Sequence, residues 1–273
     1  MDLLALSVGL FIILILGLLS LKVGIVDHSG LIAGVLVGIP IIIAPQDGLK
    51  WFILALAFHI VAAQFTKYKY EVKRRKDTAQ EKGGVRGWRN VIANGATAVL
   101  MALCSGIWGN PIFLAGFIGA VATSTSDTLA TEIGLLNPKS PRLITHLNKK
   151  VPPGTSGGIT ILGELVTILG SLLIGLLAWV LGFDGYLLEW SSIILIFIAL
   201  MAGFAGSTFD SFLGASFQGI YSCIVCGKIT ENKVHCKRNA NQIRGFRLLD
   251  NNLVNLTSTI VGVISAMLIF SIM

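Results

Sequence analysis

Eight long stretches of this chain are apolar and carry almost no charge: residues 3–21, 30–45, 51–66, 89–108, 111–134, 157–182, 190–214 and 251–272. A helix needs about 20 such residues to cross a bilayer. Inside lipid every backbone N–H and C=O must find its partner within the protein, so an open chain of such stretches forms helices. The expected fold class is therefore all-α: a polytopic membrane protein of about eight transmembrane helices. Gly and polar residues interrupt several spans, so some helices are expected to be broken where they line a cavity.

Composition agrees: 54% of the 273 residues are hydrophobic and 13% are charged, where soluble domains carry about 25% charged residues. The first span lacks a basic start and a small-residue cleavage site, so it reads as a retained span and not a leader. Residues 1–273 are read as one membrane-embedded domain. The net charge is +7, and its distribution points to topology, not nucleic acid. Nine Lys and Arg lie in 67–89, four in 135–156, six in 215–250, and Lys22 follows the first span; only Lys50 falls on the other side. Eight alternating spans put all the other basic residues on one face, which the positive-inside rule assigns to the cytoplasm, with both termini outside. Membrane lipid headgroups are natural partners for these cations.

Acids within the spans carry the functional signal. Asp127, Glu132, Glu164 and Asp210 fall inside or at the edge of apolar stretches, where a charged group persists if it faces a cavity, pairs with a cation or binds a metal. "STSDT" at 124–128 and "STFDS" at 207–211 share the pattern Ser-Thr-x-Asp-[Ser/Thr], both near the same end of a span. This is the mark of a weak internal repeat that sets two Asp residues at similar depth. Asn90 and Asn94 share a helix face at i, i+4, and Asn251, Asn252 and Asn255 open the last span. Asn90 and Asn251 read as caps, whereas Asn94 and Asn255 lie a turn deeper. Carboxylates and amide oxygens are hard ligands that suit Mg²⁺.

The stretch "VPPGTSGGIT", 151–160, follows Lys149 and Lys150. Gly154, Gly157 and Gly158 allow positive φ and close approach, and Thr155 and Ser156 add hydroxyls. If the sixth span starts here, its N-terminus would direct N–H groups at a phosphate. Acids for a metal, a glycine-rich turn and many cations at one membrane edge fit phosphoryl transfer, which relies on positioning and charge neutralisation.

The segments "GWRNVIANG", "TSTSDTLATEIG", "VPPGTSGGIT" and "GSTFDSFLGASFQ", in this order, resemble the membrane family that includes transmembrane protein 19 and the plant phytyl-phosphate kinase (domain of unknown function 92). The resemblance implies a prenyl-phosphate kinase that converts an isoprenyl monophosphate, of phytyl or geranylgeranyl type, to the diphosphate with CTP as donor. By motif position it points to Asn94, Asp127, Glu132, Gly154, Thr155, Gly157, Asp210 and Asn252 or Asn255. The working assignment puts Mg²⁺ on Asp127, Asp210 and Glu132 and the phosphates at 154–158. Arg86, Arg89, Lys149 and Lys150 neutralise charge, and the isoprenoid tail lies between spans or in lipid. Rival readings are a CTP-dependent lipid cytidylyltransferase, a transporter with intramembrane carboxylates, and a membrane scaffold. An oligomer is compatible with the sequence.

Cys223, Cys226, His235 and Cys236 form a C-x2-C…H-C group within the 215–250 loop, which is read as cytoplasmic. Three thiols and an imidazole fit a tetrahedral Zn²⁺ site, although adjacent His235 and Cys236 are expected to diverge. Cys104 reads as a buried apolar residue. His28 and His59 read as satisfied polar residues, and His146 lies near the glycine turn.

Overall fold

The structure is a computed structural model that describes residues 3–183 and 193–273. Its long helices follow the apolar stretches: α1 (Leu3–Lys22), α2 (His28–Ile43), α3 (Gly48–Lys67), a short α4 (Tyr70–Arg75), α5 (Trp88–Trp108), α6 (Ile112–Gly134), α7 (Ile161–Val180), α8 (Ile193–Ser216) and α9 (Asn251–Ile272). Six of them, α3 and α5 to α9, are long and apolar enough to span a membrane, and α1 and α2 are the two shorter apolar helices. Residues 190–192 of the expected seventh span lie outside the described residues. The Gly and Ser/Thr interruptions are absorbed within continuous helices, with Pro40 inside α2.

Three helices start on caps that the sequence supplies. Asp27 Oδ1 accepts from Gly30 N at 2.8 Å and from Ser29 Oγ at 2.6 Å, Thr160 Oγ1 accepts from Gly163 N at 3.0 Å, and Asp250 Oδ1 accepts from Leu253 N at 3.1 Å. Each satisfies one of the N–H groups that a helix start leaves unpaired. Gly109, at φ +65, ends α5.

Helix α6 is the hub. It packs against α3, α5, α7, α8 and α9. It is the least hydropathic of the six spanning helices and the most enclosed, with 78% of its span buried. The two facts have one cause: its hydroxyls and acids are kept from lipid by a ring of more apolar helices. Small residues let that ring close. A Cβ at Gly206 of α8 or at Gly262 of α9 would overlap the Thr123 side chain of α6. This is the close backbone approach that drives helix association where water is absent. Toward the other end, Trp51 packs on Phe117 at 4.7 Å and on Phe183 at 6.1 Å between ring centroids, within a core that includes Ile41, Leu54, Ile118 and Leu195.

The basic loops gather at one end. Lys76 Nζ donates to Leu135 O at 3.0 Å, Lys228 pairs with Asp77 at 3.7 Å, and Arg89 pairs with Asp250 at 3.8 Å. These contacts tie 67–89, 135–156 and 215–250 together, the grouping that the charge count requires. The loops are also more ordered than an all-helical reading expects. Residues 142–159 form an antiparallel sheet in the order β2–β1–β3, from β1 (Arg142–Leu143), β2 (His146–Lys150) and β3 (Gly158–Ile159). Beyond α8 come a sheet in the order β5–β4–β8 and a hairpin β6–β7. Their strands are β4 (Ile220–Ser222), β5 (Ile229–Thr230), β6 (Val234–His235), β7 (Arg238–Asn239) and β8 (Asn241–Arg244).

Candidate active site

Asp127 and Asp210 come together. Helix α6 presents Asp127 to the Ser207 hydroxyl of α8. Helix α8 presents Asp210 to Ser258 of α9, and the Asp127 carboxylate is near enough to act on it electrostatically. The two copies of Ser-Thr-x-Asp therefore meet on adjacent helices. Asp210 Oδ2 is buried without a hydrogen-bond partner. A buried, unpartnered carboxylate oxygen beside a second carboxylate is an unfavourable arrangement when both are ionised, unless a cation joins them. Asn255 is buried one turn before Ser258 on α9, where its carbonyl accepts from Ser258 Oγ at 2.8 Å, and Asn252 is half-buried beyond it.

A third acid arrives from the loops. Glu231 follows β5 and acts on Asp210, and its own neighbours are Gln218, Ser156 and Arg244. Burial pushes the Glu231 carboxyl above its ordinary value, against the pull of Gln218, Ser156 and Arg244. Ser156 Oγ donates to Gln218 Oε1 at 2.5 Å, and Arg244 donates to Gly214 O at 2.9 Å, leaving its buried Nε without a partner. Sequence reasoning missed Glu231, Gln218 and the role of Arg244. One signal was available: between 215 and the Asp250 cap, Glu231 is the single acid among six Lys and Arg.

The glycine turn is placed at this site but built differently from the expectation. It runs into β3, and α7 begins at Ile161 behind the Thr160 cap, so the helix N-terminus does not open onto the turn. Thr155 N donates to Pro152 O at 3.2 Å, Gly158 N to Thr155 O at 2.9 Å, and Thr155 Oγ1 to Pro152 O at 2.7 Å, so these donors are used within the turn. Gly154 (φ +80) lies over Thr78. Gly157 (φ +76) is pressed so closely on Ala215 that a Cβ would overlap it. What the turn brings to the acids is Ser156. Lys149 and Lys150 lie exposed on β2.

Glu132 is a correction to the metal set. Its Oε2 accepts from Lys73 Nζ at 2.5 Å, and Lys73, fully buried, also donates to Phe65 O and Thr66 O at 2.9 Å each. This ion pair locks α4 to α6 and leaves Glu132 Oε1 buried without a hydrogen-bond partner. Arg86 donates to Thr66 Oγ1 at 3.3 Å beside the pair. Burial lowers its guanidinium pKa, and Glu132 opposes that shift. Arg89 is exposed, stacked on Trp88 and paired with Asp250, away from the acids.

Arg86 lines an apolar cavity of 140 Å³ between α1, α2, α3 and α5, together with the polar residues Ser20, His59, Asn90 and Asn94. His59 bonds Ser20 Oγ at 3.2 Å, the satisfied role expected of it. Asn94 donates to Asn90 O at 2.9 Å, and its carbonyl accepts from Ser124 Oγ of α6 at 3.0 Å. Asn94 thus joins the cavity lining to Ser124, one helical turn before Asp127 in α6.

Cys223, Cys226, His235 and Cys236 converge, with their ligand atoms all within 4.8 Å of one another. Backbone N–H groups of Cys226 and Val225 point at Cys223 Sγ, and the first of these is the main reason its thiol is drawn down to about 6. Cys104 is half-buried and free, and His146 is exposed beside Thr145.

A bundle of apolar helices around a polar hub, with a carboxylate cluster where three of those helices meet ordered loops, defines a polytopic membrane protein with a buried acidic site. The chain belongs to the integral membrane protein family DUF92, whose model matches residues 11–263. It is 34% identical to an uncharacterized membrane protein of Methanocaldococcus jannaschii, over 98% of this chain and 96% of that one. It is 32% identical to Protein PGR of Arabidopsis thaliana, over 85% and 84%, and 28% identical to the chloroplastic Protein VTE6 of the same plant, over 81% and 59%. No solved structure matches the chain.

Proposed function

We propose that this protein is a prenyl-phosphate kinase, which transfers the γ-phosphate of a nucleoside triphosphate, CTP by family resemblance, to an isoprenyl monophosphate. The observation that carries the reading is the meeting of Asp127 and Asp210 from two helices, with Oδ2 of Asp210 unpartnered. The acids fit Mg²⁺ in the way nucleotide enzymes hold it, through one or two carboxylates with water and phosphate completing the shell. The three carboxylates do not form the tight all-protein cluster that the cysteines do. When bound, Mg²⁺ would neutralise the phosphate charge.

The chain's own groups divide the remaining work. Asp127 and Asp210 would hold the cation, and Glu231 and Arg244 are the charged groups near them. Arg86, Asn90 and Asn94 line the apolar cavity, whose Leu, Ile, Val and Gly and volume of 140 Å³ suit the first isoprene unit of a chain that continues into lipid. The acceptor phosphate is already an oxyanion near neutral pH, its second pKa being about 6, so no strong general base is needed. The proposed orientation puts this face in the cytoplasm, where nucleotides are available.

The test uses purified protein in lipid nanodiscs with Mg²⁺, each of the four nucleoside triphosphates, and phytyl or geranylgeranyl monophosphate, read by mass spectrometry. The expected product is the isoprenyl diphosphate. A nucleotidyl lipid with released diphosphate would replace this reading with a cytidylyltransferase, and the absence of any new lipid would overturn it.

A further inference from the structure

The cysteine cluster lies outside the acidic site, and its spacings are those of an ion cage. Tetrahedral zinc with Zn–S near 2.3 Å and Zn–N near 2.0–2.1 Å separates two sulfurs by about 3.8 Å and a sulfur from a nitrogen by about 3.6 Å. Cys226 Sγ and Cys236 Sγ are 3.8 Å apart. His235 Nδ1 is 3.5 Å from Cys226 Sγ and 3.3 Å from Cys236 Sγ. Cys223 Sγ accepts from Val225 N at 3.4 Å, the backbone-to-sulfur bond of a C-x2-C turn closing on a metal. The sulfurs are free cysteines, and 3.8 Å is no covalent bond.

The sequence objection was that neighbours His235 and Cys236 should diverge. On a strand they would, because successive side chains alternate. The chain leaves β6 at that point: Cys236 and Lys237 take φ +49 and +58. Left-handed backbone at two consecutive non-glycine residues is uncommon and persists where surrounding structure fixes it. Here it swings both ligands toward one point.

We infer that Cys223, Cys226, His235 and Cys236 bind one structural Zn²⁺, which fixes the loop that carries Glu231 to the acidic site. Glu231 lies between the two ligand pairs, in the connection from β5 to β6. With both ends of that connection clamped, the acid is held beside Asp210, Gln218 and Ser156. Zinc occupancy does not depend on the kinase reading, because a structural metal can be counted whatever the protein catalyses.

Full-length protein, purified in detergent under reducing conditions with no added metal, is assayed for zinc by elemental mass spectrometry and for thiols by colorimetric titration. The expected result is about one zinc per chain, with three of the four thiols reacting only after chelation. Cys226→Ser and Cys236→Ser are expected to lose the zinc, and Cys104→Ser to keep it. If the ligand variants fail to fold, the wild type exchanged with Co²⁺ is expected to show thiolate-to-cobalt absorption. Wild type with negligible zinc, all thiols reactive and no cobalt spectrum would overturn the inference. So would a Cys226–Cys236 disulfide in the reduced preparation.

Discussion

Asp127 and Glu132 are five residues apart on one helix, the first half-buried and the second fully buried, and they meet opposite fates. Five residues turn an α-helix by about 140° beyond a full circle, so the two side chains address different neighbours. Glu132 Oε2 meets Lys73, which balances its charge, although its Oε1 is buried without a hydrogen-bond partner. Asp127 meets Ser207 and the negative charges of Asp210 and, through it, Glu231. The first acid is matched inside the chain and acts as a strut. The second belongs to a group in which the acids outnumber Arg244, the cation beside Glu231 among the described residues, and such a group, when ionised, is stable if something positive is supplied from outside. A buried acid is therefore a sign of function only when its partner is missing.

That contrast can be broken by substitution. Asp127→Asn or Asp210→Asn should reduce isoprenyl diphosphate formation by roughly 10³-fold or more, since catalysis by positioning and charge neutralisation fails without the cation's ligands. The folded fraction by size exclusion in detergent should stay near wild type. The matched control is the double variant Lys73→Met/Glu132→Gln, which removes the buried pair together and is expected to keep turnover. Normal turnover in Asp127→Asn with loss in that double variant would invert the assignment.

Lys73→Met should be the most damaging change to stability, by about 3–5 kcal/mol, because it leaves Glu132 buried and uncompensated. The double variant Lys73→Met/Glu132→Gln should recover most of the loss in thermal unfolding. Gly206→Ala should cost about 1–3 kcal/mol through overpacking against Thr123, and should lower activity as well by moving α8, and Asp210 with it, away from α6.

The smallest effect is expected outside both regions. Asp27→Ala removes the cap of α2 and should cost about 1 kcal/mol near neutral pH. Ser29 first, then Gly30, holds the Asp27 carboxyl below its ordinary 3.8. A lowered folded pKa means that the cap stabilises above pH 3.8 and is lost as pH falls through the folded value. The gap between variant and wild type in a melting series should therefore close in acid.

The helices, their order and the gathering of the basic loops at one end were legible in the sequence. Length and hydropathy decide whether a segment can enter lipid, and each is a property of the segment itself. The Asp127–Asp210 meeting was half-legible, through the repeated Ser-Thr-x-Asp. Glu132 was misread because a carboxylate in an apolar stretch looks the same whether a lysine 59 residues away turns inward to meet it or not. Glu231 was missed because the turns that bring it to the acids are set by short strand pairings between β4, β5 and β8, which leave no periodic trace. Sequence alone determined what must be buried in the membrane, because transfer from water to lipid acts on each segment separately. Which buried charges are answered and which stay open was decided only by the tertiary structure, because a charge is satisfied by whatever lies within a few ångströms, however distant along the chain.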